Sequence, residues 1–220
     1  MAFFGEFAIF LIMIKAIVVD LGGVLFSEGK AVAMERLERE FGYKKDIIRQ
    51  ILTSPHSREL RKGLMRDSEF WSWAQEQLPK GYDAQLVKRA WYDGYVLDED
   101  IFKLIKRLKG KYAIIVFSGN VRSRVDFLEE KYRFRHLPDK EIYSFDYHLT
   151  KPDKKFIEVL VAKSGCRPEE MVYIEDNEFY AQPARETGIN VLIYRGGTIQ
   201  KLENDLRKLG VAFESEASGA

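Results

Sequence analysis

The chain has 220 residues, 46% of them hydrophobic and 31% charged, with 35 basic side chains against 34 acidic ones and a formal charge of +1. This apolar content excludes a disordered or solvating polypeptide and suffices for one generous domain, or for a core domain carrying an inserted unit. A near-neutral balance supplies no overall basic field for a phosphate backbone, so nucleic acid is not an expected partner. The single cysteine, Cys166, can close no internal disulfide, which makes the cytoplasm the expected compartment.

Residues 1–12 are apolar apart from Glu6, yet they lack the basic flank and small-residue cleavage site of a signal peptide. Lys15 leaves the run too short to span a bilayer, so no membrane is expected and 1–12 reads as an extension ahead of a domain beginning near Met13. Residues 14–19 are rich in β-branched side chains and stop at Asp20-Leu21-Gly22-Gly23, as suits a strand buried on both faces. The period then becomes helical. Met34, Leu37 and Phe41 mark a first helix, and Ile47, Ile48, Ile51 and Leu52 mark a second that Ser54-Pro55 is expected to end. Asp67 or Ser68 caps a third, with the stripe Phe70, Trp71, Ala74 and Leu78, and Asp83 caps a fourth bearing Leu86, Val87, Ala90 and Trp91.

Beyond residue 97 helices and strands alternate. A helix carrying Ile101, Leu104, Ile105 and Leu108 precedes a strand over 112–117 and the turn Ser118-Gly119-Asn120. Next come a helix over 125–132, a strand over 142–144 and a helix over 152–164 with Pro152 in its first turn. A strand over 171–174, a helix over 179–187, a strand over 190–194 and a helix over 200–209 complete the order. The pattern predicts an α/β fold, a Rossmann-like, mostly parallel sheet flanked by helices. Its core spans 13–27 and 98–210, a helical cap over 28–97 is inserted after the first strand, and 211–220 reads as a frayed tail.

Ligands of an open α/β sheet bind outside the carboxyl ends of the strands. Asp20, Ser118-Gly119-Asn120 and Glu175-Asp176-Asn177 all follow predicted strands, and Lys151 stands ahead of Pro152. A carboxylate approaches a phosphate dianion only with a cation beside it, so Asp20 and Asp176 are sensible oxygen ligands for Mg²⁺. Lys151 would offset the charge gathered there, and Ser118 with neighbouring backbone N–H groups would grip phosphate oxygens. Asp20 is then also placed to attack phosphorus, giving an aspartyl-phosphate that water cleaves.

The segments Asp20-Leu21-Gly22-Gly23-Val24-Leu25, Ser118-Gly119-Asn120, Lys151-Pro152-Asp153 and Ile174-Glu175-Asp176-Asn177 stand in the order and approximate spacing of four family motifs. Over residues 13–194 the chain resembles the haloacid-dehalogenase-like hydrolase superfamily, with the nearest likeness to its helical-cap phosphatases. These include the N-terminal phosphatase domain of soluble epoxide hydrolases and bacterial sugar-phosphate phosphatases. The resemblance implies a mobile cap, an Asp20 nucleophile, and Mg²⁺ held by the Asp20 side chain, the Gly22 carbonyl and Asp176. It implies Ser118 and Lys151 at the phosphoryl group, Gly119 and Asn120 as loop contacts, and a small phosphorylated metabolite as the partner of a monomer or homodimer.

Two departures bear on activity. Family phosphatases usually carry a second aspartate where Gly22 stands, to protonate the leaving oxygen, and such help is worth about 10²- to 10⁴-fold. Some sugar-phosphate phosphatases of the superfamily also carry glycine there. Tyr180 replaces a common Asp or Asn, and Glu175 is expected to reach the water shell of the metal rather than the ion itself. The alternatives are a 2-haloacid dehalogenase, whose halide needs no proton, and a non-catalytic phosphometabolite-binding protein. The aromatics Phe70, Trp71, Trp73, Trp91 and Tyr92 read as packing, and His56, His136 and His148 show no ligand spacing. Arg58, Arg61 and Lys62 read as a solvated helix face, with recognition of a second anionic group on the substrate as the sharper alternative.

Overall fold

A computed structural model of the chain describes residues 13–213. Five strands, β1 (Ala16–Val19), β2 (Ala113–Ser118), β3 (Lys140–Tyr143), β4 (Met171–Glu175) and β5 (Asn190–Ile193), form one sheet in the order β3-β2-β1-β4-β5. All four pairings are parallel. Both faces are covered, which is why the central strands are apolar without alternation. Ala16 and Val18 share one core with Ile115, Phe117, Met171 and Tyr173, whereas Ile17 and Val19 share the other with Ile114, Val116, Val172 and Ile174.

Helices α1 (Gly29–Phe41), α2 (Lys45–Leu52), α3 (Pro55–Arg61), α4 (Asp67–Gln77) and α5 (Ala84–Asp93) occupy the span between β1 and β2. The remaining helices flank the sheet: α6 (Glu99–Leu108), α7 (Arg122–Tyr132), the short α8 (Ser144–Tyr147), α9 (Lys154–Ser164), α10 (Glu178–Glu186) and α11 (Ile199–Lys208). Phe156, Ile157 and Leu160 of α9 fill one core; Ile101, Leu104, Ile105 and Leu108 of α6 and Leu202 and Leu206 of α11 fill the other. Among the described residues no helix is long and apolar enough to cross a membrane. The expectations for residues 1–12 and for the last seven residues lie outside those described.

Where the chain enters and leaves the inserted helices, two segments are laced together. Ser27 N–H donates to Val96 O at 2.9 Å, and Asp98 N–H donates to Leu25 O at 2.9 Å. The aromatics of the insertion are buried, with Phe70, Trp71 and Trp91 at 0–2% exposure, and Trp91 and Tyr92 also meet Arg124 and Phe127 of α7. Gly29 at the start of α1 and Gly94 just past α5 are in close contact, since a Cβ on Gly94 would stand 2.5 Å from the Gly29 carbonyl oxygen.

Three local readings are corrected. Ser54-Pro55 starts a helix instead of only ending one: Ser54 caps α3 by accepting from Ser57 N–H, and Pro55 sits where its missing N–H costs nothing. Pro152 lies ahead of α9, not in its first turn; Asp153 is the cap, accepting from Lys155 N–H, and the Lys151–Pro152 bond is cis. Ser144 opens α8 instead of closing β3.

Gly94 has φ −64°, which alanine adopts freely, so Gly94→Ala acts through steric contact, chiefly with the Gly29 carbonyl. It should lower stability by about 1–3 kcal/mol, the usual cost of overpacking, read as a fall in the urea midpoint with an unchanged slope.

Candidate active site

The strand order reverses direction at β1 and β4, and the first charged side chains of the site follow these two strands. Val19 pairs with both Val116 and Ile174, so the register sets Asp20 beside Glu175 at the carboxyl edge, with Ser118 one residue further along β2. Asp20 N–H donates to Ile174 O at 3.1 Å and holds that alignment past the end of β1.

Lys151 reaches this edge from the loop before α9, and only 6% of its side chain is exposed. Its ammonium lies 2.9 Å from Asp20 Oδ1 and 2.5 Å from Glu175 Oε2, and donates to Tyr173 Oη at 2.9 Å. The approach to Asp20 is off the hydrogen-bond direction, so Asp20 Oδ1 is left without a hydrogen-bond partner. Glu175 is saturated: Oε2 accepts from Lys151 and from the Tyr173 hydroxyl, while Oε1 accepts from the N–H groups of Asp176 at 3.1 Å and Asn177 at 3.2 Å. Its role is to hold Lys151 and shape the turn, not to offer a free ligand atom.

Carboxylate oxygens of Asp20, Glu175 and Asp176 lie within 4.8 Å of one another. With Glu175 engaged, Asp20 and Asp176 are the pair that can share an ion. Asp176 fits because Gly23 has no side chain; a Cβ there would overlap the Asp176 carboxylate. Gly23 also has φ +93°, a conformation that suits glycine.

The charges register in the proton affinities. Burial raises the pKa of Asp20 to about 6, with Lys151 opposing and Glu175 reinforcing. Burial, then a hydrogen bond with Glu175 and the charge of Asp20, raises that of Asp176 to about 8. Burial alone would lower that of Lys151, but Asp20 and Glu175 outweigh it and hold the ammonium charged.

The remaining residues singled out in the sequence line the same cleft, of about 680 Å³: Gly22, Ser118, Gly119 and Asn120. Ser118 is the last residue of β2 and 3% exposed. Gly119 passes close to Thr150, whose Oγ1 would stand 2.8 Å from a Cβ at that position. Asn120 is committed to structure on two sides. Its Oδ1 accepts from Val121 N–H at 2.8 Å and Arg124 Nε at 2.8 Å, and its N–H donates to Ser144 Oγ at 3.1 Å.

Several residues of the cleft carry no motif. Tyr95 fills the space beside Gly22: a Cβ at Gly22 would stand 2.9 Å from Tyr95 Cε1 and 3.3 Å from its hydroxyl. Gly29 yields to the other edge of the same ring, which a Cβ there would overlap. Tyr180 lines the cleft with its ring centroid 5.8 Å from the Lys151 ammonium. Lys30 also faces the cleft, and Arg124 is buried behind Tyr95, its guanidinium 4.4 Å from that ring. Tyr180 was already singled out in the sequence, and Tyr173 carried a signal too, since it shares a strand face with Glu175 at a spacing of two.

The profile of the haloacid dehalogenase-like hydrolase family matches residues 14–212. The chain is 38% identical over 219 residues to an uncharacterised protein of Dictyostelium discoideum, covering 86% of this chain and 94% of that one. A HAD family enzyme of Bacteroides thetaiotaomicron, solved with magnesium and inorganic phosphate, superposes with a TM-score of 0.73 at 22% identity, covering 86% of this chain and 98% of that one. A protein of Porphyromonas gingivalis described as a predicted HAD-like family hydrolase gives 0.74 at 24%, covering 89% and 98%. The L-2-haloacid dehalogenase of Xanthobacter autotrophicus with chloropropionic acid covalently bound gives 0.63 at 21%, covering 91% and 85%. At these identities the structural likeness is one of fold.

Both aspartate values exceed the ordinary 3.8, so the folded chain binds protons that the unfolded chain releases. The stability this contributes is complete below about pH 4 and is lost as pH rises through about 6 and then about 8. In chelator, Asp176→Asn should therefore melt above the parent at pH 8.5. Added Mg²⁺ should raise the parent's midpoint more at pH 8.5 than at pH 5.5, because binding displaces those protons. Thermal unfolding at both pH values checks each outcome.

Proposed function

This chain belongs to the haloacid dehalogenase-like hydrolase family, and from that premise we propose that it hydrolyses a small phosphate monoester, such as a sugar phosphate, with Mg²⁺ as cofactor. The observation that carries the reading is the Asp20–Asp176 pair. Two carboxylates within 4.8 Å, both with pKa values raised first by burial and then by neighbouring carboxyl groups, favour a cation beyond the one lysine present. The Asp20 and Asp176 side chains and the Gly22 carbonyl would hold it. When bound, the ion neutralises these carboxylates and polarises the phosphoryl oxygens.

The protein groups divide the remaining work. Asp20 supplies a carboxylate oxygen that attacks phosphorus, forming an Asp20–O–P bond as the bond from phosphorus to the leaving oxygen breaks. Lys151, kept charged by Asp20 and Glu175, balances charge on the phosphoryl oxygens and fixes the nucleophile. Ser118 and the Gly119 backbone bind those oxygens. Water then cleaves the acyl phosphate, releasing phosphate and restoring Asp20. The helices α1–α5 act as the cap, closing over the cleft and excluding bulk water.

Phosphate release from a broad panel of monoesters is expected to require Mg²⁺, to disappear in chelator and to disappear in Asp20→Asn. Turnover that survives that substitution overturns the reading. Gly22 donates no proton and Tyr95 takes the space of a longer side chain, so the leaving group must depart largely unassisted. Aryl phosphates should be hydrolysed faster than alkyl phosphates by about 10²-fold or more, the help that a general acid would otherwise give. A flat dependence of kcat on leaving-group pKa would contradict this.

A second reading, carbon–halogen cleavage, is favoured by Gly22 alone, because a halide leaves without a proton. Chloride release from 2-chloropropionate in chelator, with no phosphatase activity, would put it in place of the first.

A further inference from the structure

We propose that the cleft contains a second anion site, built from Lys30 and Arg61 with Arg124 behind them, and that the phosphoester it accepts carries another oxyanion at its far end, a carboxylate or a phosphate. This rests on the phosphatase reading and narrows its substrate class.

The two walls of the cleft differ in charge. The core side presents Asp20, Asp153 and Asp176 with Lys151; the side formed by the inserted helices presents Lys30, Arg58, Arg61 and Lys62 with Glu28. Most of these cations are unspent. Among the described residues Arg58, Arg61, Lys62 and Arg124 have no carboxylate within 4.0 Å, and Lys30 has only Glu28 at 3.6 Å. Glu28 is itself occupied in capping α1, accepting from Ala31 N–H at 2.7 Å. Elsewhere the chain pairs basic side chains readily, as with Lys45 between Glu35 and Glu38. Burial, then the charges of Arg61 and Arg124, push the Lys30 pKa down against the pull of Glu28, as expected where cations converge.

Unmatched donors lie at and behind this wall, of which only that of Arg61 belongs to a residue lining the cleft. Arg61 Nε, Trp91 Nε1 and Arg124 Nη1 are buried without a hydrogen-bond partner. They surround one ring: Trp91 has the Arg61 guanidinium 5.7 Å and the Arg124 guanidinium 4.2 Å from its centroid. Buried donors ordinarily find acceptors, and an excess of donors on cationic side chains calls for an anion. The cluster is also held in register with the phosphoryl seat. The buried Ser144 hydroxyl donates to Arg61 O at 2.6 Å and accepts from Asn120 N–H at 3.1 Å, tying α3 to the Ser118-Gly119-Asn120 loop. Tyr95 stands between the two regions, against Gly22 on one side and Arg124 on the other.

Three esters with one three-carbon chain test this: 3-hydroxypropyl phosphate, 3-(phosphonooxy)propanoate and propane-1,3-diyl bisphosphate. Their binding to Asp20→Asn is measured by calorimetry with Mg²⁺, and their kcat/KM on the parent by phosphate release. A far-end oxyanion should tighten binding by about tenfold or more over the hydroxyl, as expected for charge-assisted hydrogen bonds. The carboxylate and bisphosphate arms show which oxyanion fits. Lys30→Gln and Arg61→Gln, made in the Asp20→Asn background, should each erase most of that ratio. A ratio near one before either is introduced overturns the proposal without recourse to those variants, as does a ratio that both leave intact. Discrimination in binding without turnover of any ester would remove the phosphatase reading and keep the anion site; equal binding and turnover of all three would do the reverse.

Discussion

One buried ammonium group organises the centre of this protein. Lys151 comes from a loop far along the chain and lies within 2.9 Å of Asp20 after β1 and 2.5 Å of Glu175 at the end of β4. Removing the lysine would leave two carboxylates facing each other in a site almost closed to water, and removing either carboxylate would leave the ammonium under-compensated. The arrangement also sorts the carboxylates by function. Glu175 spends both oxygens on Lys151, Tyr173 and two backbone N–H groups, whereas Asp20 and Asp176 retain unsatisfied charge.

That unsatisfied charge gives the site its chemistry. Two aspartates buried beside a third carboxylate bind protons more tightly than they would in water, and the same burial and like charge favour any cation able to replace those protons. The glycines that permit the crowding matter as much as the charged groups. Gly23 leaves room for the Asp176 carboxylate, while Gly22 and Gly29 leave room for the ring of Tyr95. The absent acid side chain at position 22 is thus part of a packing solution that brings an aromatic ring from the end of the inserted helices up to the core.

Across the cleft the charge inverts. The core wall concentrates carboxylates, the wall from α1 and α3 concentrates lysine and arginine, and the two are joined through the Ser144 hydroxyl. A bare phosphate would engage only the first wall. A ligand with charge at both ends would engage both, because Lys30 and Arg61 face the cleft without a full complement of acidic partners.

Much of this was readable in the sequence, and for a definite reason. Runs such as Ile17-Val18-Val19 and Ile114-Ile115-Val116, apolar at every position, fit only strands covered on both faces, so the alternation of helices and strands and the parallel sheet followed from local pattern. Asp20, Ser118 and Asp176 were legible because a charged or hydroxyl group just beyond such a run sits where ligands bind, whereas Lys151, in a loop ahead of Pro152, was singled out by the charge it would offset and by its motif. Boundaries set by single caps were less legible, as at Ser54-Pro55, where the same residues can end one helix and begin the next.

What the tertiary structure alone decided is which groups remain unpaired. Arg61 and Arg58 stand in one short helix beside many other charged residues, and Arg124 follows Arg122, which is satisfied by Asp146 at 2.7 Å. Nothing in their sequence neighbourhoods distinguishes a guanidinium with a carboxylate partner from one without. Pairing depends on what other parts of the chain bring within a few ångströms, and desolvation depends on the whole surrounding volume. Local sequence therefore determined the strands, the turns and the main acidic groups, while the charge left over in the folded cleft emerged only when all of its walls were assembled.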